Sequence, residues 1–328
     1  MKKIAINGFG RIGRITLRAL LERNKVEVVA INDLTDTTTL AHLFKYDSVH
    51  RKFNGTVDSG ADFLVINGKK IKVFAEKDPA NLPWKELAVD FVIESTGKFT
   101  KSSEASTHLT AGAKRVIISA PASGDDVKTV VLGVNESILD GTEKILSNAS
   151  CTTNCGAPMI KVLDDNWGVE SCYISTVHSY TGDQRLHDAP HKDLRRARAA
   201  AVSMIPTTTG AAKAITKIFP HLEGKMGGCG FRVPVPDGSL TDITCTLKKD
   251  ATVEEINAAF KKAAETSMKG ILEYSMEPLV SIDIVGNPHS CILDAELTSV
   301  VGHMVKVIGW YDNEAGYSNR LADLVERL

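Results

Sequence analysis

The chain has 328 residues, 43% hydrophobic and 24% charged, with a formal net charge of −1. Such a length supports two domains, each burying its own core. The balanced charge gives no overall basic field for nucleic acid, and no apolar run approaches the ~18 residues of a membrane helix, so neither is an expected partner.

The first residues, Met1-Lys2-Lys3-Ile4-Ala5-Ile6-Asn7, begin like a signal peptide, but the apolar run breaks after three residues. They read instead as a strand over Lys3–Asn7. Arg11–Arg23 follows with a helical stripe of Ile12, Ile15, Leu17, Ala19 and Leu20, and Val26–Asn32 reads as a second strand. A helix is expected over Thr38–Phe44, and buried strands over Phe91–Ser95, Arg115–Ser119 and Val130–Val134. This alternation predicts an α/β domain with a mostly parallel, doubly wound sheet.

Beyond residue 150 the texture changes. Tyr173–His178, Gly230–Val235, Thr241–Leu247, Ile282–Val285 and Met304–Tyr311 read as strands separated by long segments. Val253–Lys269 reads as a helix capped by Thr252, with Glu254 and Glu255 in its first turn. Leu321–Leu328 reads as a short amphipathic helix, and the whole as an α+β domain. The polar loop from Thr181 to Arg198 is long enough to expect a function or an interface in it.

Gly8-Phe9-Gly10-Arg11-Ile12-Gly13 fits G-x-G-x-x-G. Glycines alone would make only a tight turn. Here they lie between a strand and a helix, and Asp33 ends the next strand, which predicts dinucleotide binding. Gly8 allows the turn, Gly10 lets a pyrophosphate approach the backbone, and Gly13 lets helix and strand pack closely. Asp33 would accept hydrogen bonds from the adenosine ribose and repel a 2′-phosphate, favouring NAD over NADP.

Six cysteines, Cys151, Cys155, Cys172, Cys229, Cys245 and Cys291, are too scattered for a disulfide framework and lack zinc-ligand spacing. No metal is expected, and free thiols fit a reducing cytoplasm. Cys151, in Ser150-Cys151-Thr152-Thr153-Asn154-Cys155, opens an apolar periodic run. It therefore sits at a helix N-terminus, where amides favour a thiolate. The other five read as packing cysteines. His178, at the end of a strand, is the candidate base, although sequence distance alone does not pair it with Cys151.

NGFGRIGR at 7–14, SNASCTTNC at 147–155, HSYTGDQ at 178–184, DLRRARAAA at 193–201, TTTGAAKA at 207–214, RVPVPDGSLTD at 232–242 and WYDNEAGYSNR at 310–320 resemble glyceraldehyde-3-phosphate dehydrogenase along the whole chain. The resemblance implies a Rossmann-type domain over 1–150, with the helix near 316–328 packing back on it, and a catalytic domain over 151–315. It implies NAD at Gly8, Gly10, Arg11, Ile12, Gly13, Asp33, Lys77 and Ser119, with Asn313 at the nicotinamide carboxamide and Tyr317 near the ring. Cys151 would attack the aldehyde, and His178 would take the proton. Ser150, Thr152, Thr209 and Gly210 resemble the site of the attacking inorganic phosphate. Thr181 and Arg232 resemble the site of the triose phosphate's own phosphate. One arginine of the Arg195-Arg196 pair would join these anion sites, and spacing to Thr209 favours Arg196. A cytoplasmic homotetramer is implied. Arg51 departs from the family's common glycine. Leu34 and Pro190 resemble the NAD-preferring branch, whereas Ala189 also occurs in branches that accept NADP.

Overall fold

The computed structural model describes residues 1–328. The chain forms two compact units. One comprises residues 1–130, 136–149 and 318–328, the other residues 131–135 and 150–317.

In the first unit, β1 (Lys3–Asn7), α1 (Arg11–Arg23), β2 (Glu27–Asn32), α2 (Thr37–Lys45), β3 (Val57–Gly60), β4 (Phe63–Ile66), β5 (Lys69–Phe74) and β6 (Phe91–Glu94) lead to two one-turn helices. These are α3 (Ser102–Ala105) and α4 (Thr107–Thr110), followed by β7 (Arg115–Ile118), β8 (Lys128–Thr129) and β9 (Ile145–Ser147). The sheet order is β3-β4-β5-β2-β1-β6-β7-β9-β8. From β5 to β8 it is parallel, as the βαβ pattern requires, while β3, β4 and β5 form an antiparallel meander at one edge. Ile4, Ala5, Ile6, Leu17, Ala30 and Ile31 are buried beneath α1 and within the sheet. The C-terminal residues belong to this unit. Lys2 donates to the carbonyls of Val325 and Glu326, and Arg23 pairs with Asp323.

The second unit carries α5 (Cys151–Trp167), β10 (Val169–Ser179), β11 (Ile205–Thr207), α6 (Ala211–Ile218), β12 (Met226–Val233), β13 (Ser239–Leu247) and α7 (Val253–Glu265). It continues through β14 (Leu272–Ser275), β15 (Cys291–Val301), β16 (Met304–Tyr311) and the start of α8 (Ala315–Arg327). Its mixed sheet runs β11-β12-β10-β13-β16-β15-β14. Alternating burial along β13 and β16 gives one face to the helices. The Ile243, Val305 and Val307 side chains are buried.

Several boundaries depart from the sequence reading. Val130–Val134 is not a strand: the pairing segment is β8, and the chain then turns, with Val134 and Asn135 amides both donating to the Val131 carbonyl. Ile282–Val285 is no strand either, because Ser281–Ile284 forms a 3-10 turn whose entry is held by Val280 N–H donating to Asp283. The helix begun by the Thr252–Glu255 capping box ends at Glu265 rather than Lys269, and the last helix starts at Ala315. Strands β3 to β5 are not legible in the sequence, because short, half-polar hairpins carry little periodicity. Arg51 adopts φ 63°, the left-handed region that glycine enters without penalty. The family's glycine thus suits this turn better than the arginine does.

Candidate active site

In the first unit the glycine motif forms a backbone cradle. Gly8 has φ +91°, and a Cβ there would lie 2.7 Å from the Thr96 amide nitrogen. A Cβ on Gly13 would lie 2.2 Å from the Gly8 carbonyl oxygen, so only glycine lets α1 meet β1 this closely. At Gly10 a Cβ would meet nothing within 4 Å, and no side chain caps α1. The first amides of α1 therefore face open space, an arrangement suited to a pyrophosphate. A groove of about 490 Å³ adjoins them, lined in part by Gly8, Gly10, Asn32, Asp33, Leu34 and Lys77. Asp33 accepts from the Phe9 amide at 2.8 Å and the Thr35 amide at 3.0 Å, which holds its carboxylate at the groove wall. Ile12 sits in the first turn of α1. Ser119 does not line this groove; its amide donates to the Glu94 carbonyl just past β7.

Arg11 turns its guanidinium to Asp47, with contacts of 2.5 and 3.1 Å. Its contribution to a bound phosphate is therefore the backbone of the first turn. Burial raises the Asp47 carboxyl, but the Arg11 fork and the His50 and Val49 amides outweigh it and hold the group at about 2. Relative to the ordinary 3.8, that shift is worth about 2 kcal/mol of stability. A lowered carboxyl contributes fully above its unfolded value and loses the contribution as pH falls toward the folded one. Asp47→Asn should therefore lower unfolding free energy by about 2 kcal/mol at pH 7, with the gap narrowing toward pH 2. Urea denaturation of both proteins at pH 7 and pH 3 measures this; coincident midpoints at pH 7 would contradict it.

Beneath the groove lies a buried polar chain. Trp84 Nε1 donates to His108 Nδ1 at 3.0 Å, so the His108 proton sits on Nε2, 3.0 Å from Glu94. Asn7 also donates to Glu94, and Asn32 donates to Asn7 Oδ1. These residues shape the floor of the groove. Each is ordinary by type, so the sequence alone did not single them out.

In the second unit, Ser150 caps α5: its Oγ accepts from the Thr153 amide at 3.1 Å. Cys151 is thus the first residue of the helix. Its Sγ lies 3.5 Å from His178 Nε2, a pairing that joins the start of α5 to the end of β10. His178 Nδ1 lies 2.7 Å from the Ser179 carbonyl oxygen, and the ring stands edge-on to Tyr311. Tyr311 OH bridges Thr152 Oγ1 and Thr176 Oγ1, each at 2.9 Å. It holds the two elements that carry Cys151 and His178. The WYDN motif contains this tyrosine, but its partners lie far away in sequence.

Burial pushes the Cys151 thiol up to about 11, against the pull of Arg232 and of the Thr152 amide and hydroxyl. Burial and the adjacent Arg232 push His178 down to about 3. Each lone charge is disfavoured here, while a thiolate and an imidazolium 3.5 Å apart would offset each other. A proton passed from Cys151 to His178 would leave the pair neutral overall.

Arg232, aligned with His178 across β10 and β12, places Nη1 2.7 Å from His178 Nδ1 and 3.0 Å from the Ser179 carbonyl oxygen. Arg196 donates to Asp183 at 2.7 Å and to Thr207 at 3.0 Å, and Asp183 also accepts from Thr181. Arg196 lies near enough to His178 and Arg232 to influence their protonation. Arg195 donates from its amide to Asp193 and accepts at its carbonyl from the Arg198 amide. Thr209 Oγ1 accepts from the Ala211 amide at 3.2 Å, beside Gly210 at the start of α6. Asn313 Oδ1 accepts from both Ser179 and Ser239, each at 2.8 Å, which leaves its Nδ2 hydrogens as the group it offers to a carbonyl. Tyr317 is buried near the start of α8. Residue type alone does not distinguish Asp183, Ser179 or Ser239 from ordinary polar side chains.

None of the remaining cysteines has a histidine beside it, and Cys229 is half-buried with the Ser175 hydroxyl at 3.7 Å. Cys155 is buried with Sγ 3.6 Å from the Gly309 carbonyl, and burial raises the Cys172, Cys245 and Cys291 thiols. No helix is long and apolar enough to cross a membrane.

The chain is similar to known proteins along nearly its whole length. A family model described as the NAD binding domain of glyceraldehyde 3-phosphate dehydrogenase matches residues 2–102, and that of the C-terminal domain matches residues 150–313. The chain is 59% identical to the glyceraldehyde-3-phosphate dehydrogenase of Thermotoga maritima, covering 100% of this chain and 99% of the relative. It is 58% identical to glyceraldehyde-3-phosphate dehydrogenase 1 of Bacillus cereus, covering 99% and 97%. It is 57% identical to glyceraldehyde-3-phosphate dehydrogenase 2 of Streptomyces avermitilis, covering 98% and 97%.

Proposed function

The chain belongs to the glyceraldehyde-3-phosphate dehydrogenase family, and from that premise we propose how its residues divide the reaction. It oxidises and phosphorylates D-glyceraldehyde 3-phosphate to 1,3-bisphosphoglycerate with NAD, as a step of glycolysis. The observation that carries the residue assignment is the Cys151–His178 contact of 3.5 Å at the start of α5, beside Arg232.

Cys151 Sγ adds to the aldehyde carbon and forms a thiohemiacetal. His178 Nε2 takes the hydroxyl proton as the carbonyl re-forms, leaving a thioester on Cys151. Bound NAD would supply the acceptor for the hydride of that carbon. Inorganic phosphate then attacks the thioester, the C–S bond breaks, and the acyl phosphate departs from a thiolate. Thr181 and Arg232 are assigned to the substrate's phosphate, and Ser150, Thr152, Thr209 and Gly210 to the attacking phosphate. Arg196 joins them, because its guanidinium already lies in the field of Arg232 and His178. Arginine suits this work through its planar fork of donors. On the cofactor side, the α1 amides at Gly10 to Gly13 take the pyrophosphate, and Asp33 the ribose. Lys77 lines the same groove, and Asn313 takes the carboxamide through Nδ2. Asp33 places a negative charge where a 2′-phosphate would fall, so NAD is preferred over NADP.

NADH formation tests the reading. It should require glyceraldehyde 3-phosphate and inorganic phosphate together, with a much lower kcat/KM when NADP replaces NAD. Faster turnover of erythrose 4-phosphate, or phosphate-independent release of product, would overturn the substrate assignment.

Assembly as a cytoplasmic homotetramer completes the proposal. The loop after β10 exposes Leu186, Leu194, Val202 and Met204, each at least 77% accessible. Apolar side chains that open suit burial against a second copy. Light scattering should return four times the 35.4 kDa chain mass. A fully active monomer at micromolar concentration is the contrary result.

A further inference from the structure

Three polar side chains stand in one row at the C-terminal ends of neighbouring parallel strands. Asn32 ends β2, Asn7 ends β1 and Glu94 ends β6, and the register pairs Asn7 with both of the others. In an open parallel sheet this is the edge that meets a ligand. The hydrogens of the row run one way, and Glu94 sets the direction, because a carboxylate only accepts. Its Oε2 takes Asn7 Nδ2–H at 2.5 Å and His108 Nε2–H at 3.0 Å. Its Oε1 takes the Thr96 amide at 2.8 Å and the Thr96 hydroxyl at 2.5 Å. Asn7 must therefore turn its Oδ1 the other way, where it accepts from Asn32 Nδ2 at 2.7 Å. Asn32 in turn accepts from the Glu76 amide at 2.8 Å and donates to the Glu76 carbonyl at 2.9 Å. Glu94, Asn7 and Asn32 are all buried, so a hydrogen turned the wrong way there is left unsatisfied. Both ends of the row reach the cofactor groove, at Thr96 and at Glu76 beside Lys77.

We propose that Glu94 is a positioning residue for NAD: by fixing the hydrogen direction of this row, it holds the Thr96 and Glu76–Lys77 walls of the groove in place for the dinucleotide. This rests on the reading of that groove as the NAD site. A buried carboxylate is costly, and a glutamine of the same shape would remove the charge. The row explains why glutamine does not serve. With its oxygen kept toward Thr96, its amide nitrogen would face two other donors, Asn7 Nδ2–H and His108 Nε2–H. His108 cannot move its proton aside, because Trp84 Nε1 donates to its Nδ1 at 3.0 Å. Asn7 would have to turn over, which sets its nitrogen against Asn32 Nδ2. Asn32 would then turn as well, and the Glu76 amide would lose its acceptor. A change of one atom at the end of β6 is thereby carried across two strands to the far wall of the groove.

Two isosteric substitutions separate direction from shape. Glu94→Gln should weaken NAD binding at least about tenfold. Asn7→Asp, which sets two carboxylates against each other, should weaken it at least as much. The double variant moves the carboxylate to the neighbouring strand. The oxygens at position 7 then accept from the amide nitrogen at position 94, from Asn32, and from His108, whose Nε2 lies 3.3 Å from the present Asn7 Nδ2. The amide oxygen at position 94 still accepts from Thr96. NAD affinity in the double variant should return to within about threefold of the parent. Calorimetric titration with NAD measures this. In steady-state kinetics the single variants should raise KM for NAD while kcat and the KM for glyceraldehyde 3-phosphate hold. Asn32→Asp breaks only the far end of the row and should raise KM for NAD in the same way. It decides the matter if the changes at 94 or 7 do not fold. Gly10→Ala tests the groove separately, because its Cβ would enter the space left for the pyrophosphate. NAD lost in Gly10→Ala but bound normally by Glu94→Gln or Asn32→Asp overturns the role of Glu94 and spares the groove. A double variant that binds no better than the singles overturns that role too. NAD bound normally by Gly10→Ala overturns both.

Discussion

Cys151→Ser is expected to abolish aldehyde oxidation while NAD binding stays intact. The cofactor groove belongs to the unit built on β1 and α1, and Cys151 has no part in its lining. The lost step is the first bond. A hydroxyl has no thiolate form near neutral pH, so the thiohemiacetal does not form at a useful rate. Loss of four orders of magnitude or more, on the order of what removal of a nucleophile costs, is the expected scale. None of the other cysteines has a histidine beside it; Cys229, half-buried on β12, meets the Ser175 hydroxyl at 3.7 Å. Cys155 is fully buried one turn along the helix, Cys245 is pushed up to about 12 by burial, and Cys172 and Cys291 are raised likewise. Single-turnover NADH formation and a fluorescence titration with NAD measure the two halves. Iodoacetamide should label Cys151 first, in proportion to activity lost. Substantial dehydrogenase activity in Cys151→Ser, or inactivation that tracks another cysteine, would remove the basis of the mechanism.

What could be read in advance followed the range of the interactions. The glycine cradle is local: Gly8, Gly10 and Gly13 act within one strand–turn–helix, so their spacing carries the geometry. The same holds for the Ser150 cap that puts Cys151 at a helix start. The Cys151–His178 contact spans 27 residues, and neither side chain announces the other. Tyr311 is further removed still, bonded to Thr152 across 159 residues. Nothing in a tyrosine at the end of a strand shows that it will bridge two threonines and brace an imidazole. The Glu94–His108–Trp84 chain is hidden for the same reason, its residues coming from β6, α4 and the segment that precedes β6. Family resemblance points to residues for the ligands, and the structure adds the side chains that brace them. The misread Val130–Val134 shows the complementary limit. Four apolar residues with a glycine look like a strand until the Asn135 side chain accepts from the Val131 amide and closes a turn.

His178→Asn should slow aldehyde oxidation by ~10²–10⁴, the usual worth of a general base, and should also change how the thiol titrates. In the unmodified protein burial disfavours each lone charge, so the thiolate forms with its proton held on His178, in a pair that is neutral overall. Its charge therefore changes little around neutrality, and the alkylation rate should be nearly flat there. On the acid side the pair gains a second proton, the thiolate disappears, and the rate falls. Without the imidazole the sulfur must lose its proton to water, from a buried position that favours the neutral thiol. The thiolate then appears only in the alkaline range, opposed by burial and aided by Arg232 and the Thr152 donors. Alkylation of His178→Asn at pH 7 should accordingly be at least about tenfold slower and should climb steeply with pH. Asparagine still fills much of the space and still hydrogen bonds, so the Tyr311 brace between Thr152 and Thr176 should persist. Stopped-flow NADH formation and iodoacetamide kinetics over pH 5 to 10 supply both readouts. A variant with the parent's flat profile would show that the thiolate owes nothing to His178, leaving the imidazole only the proton of the thiohemiacetal.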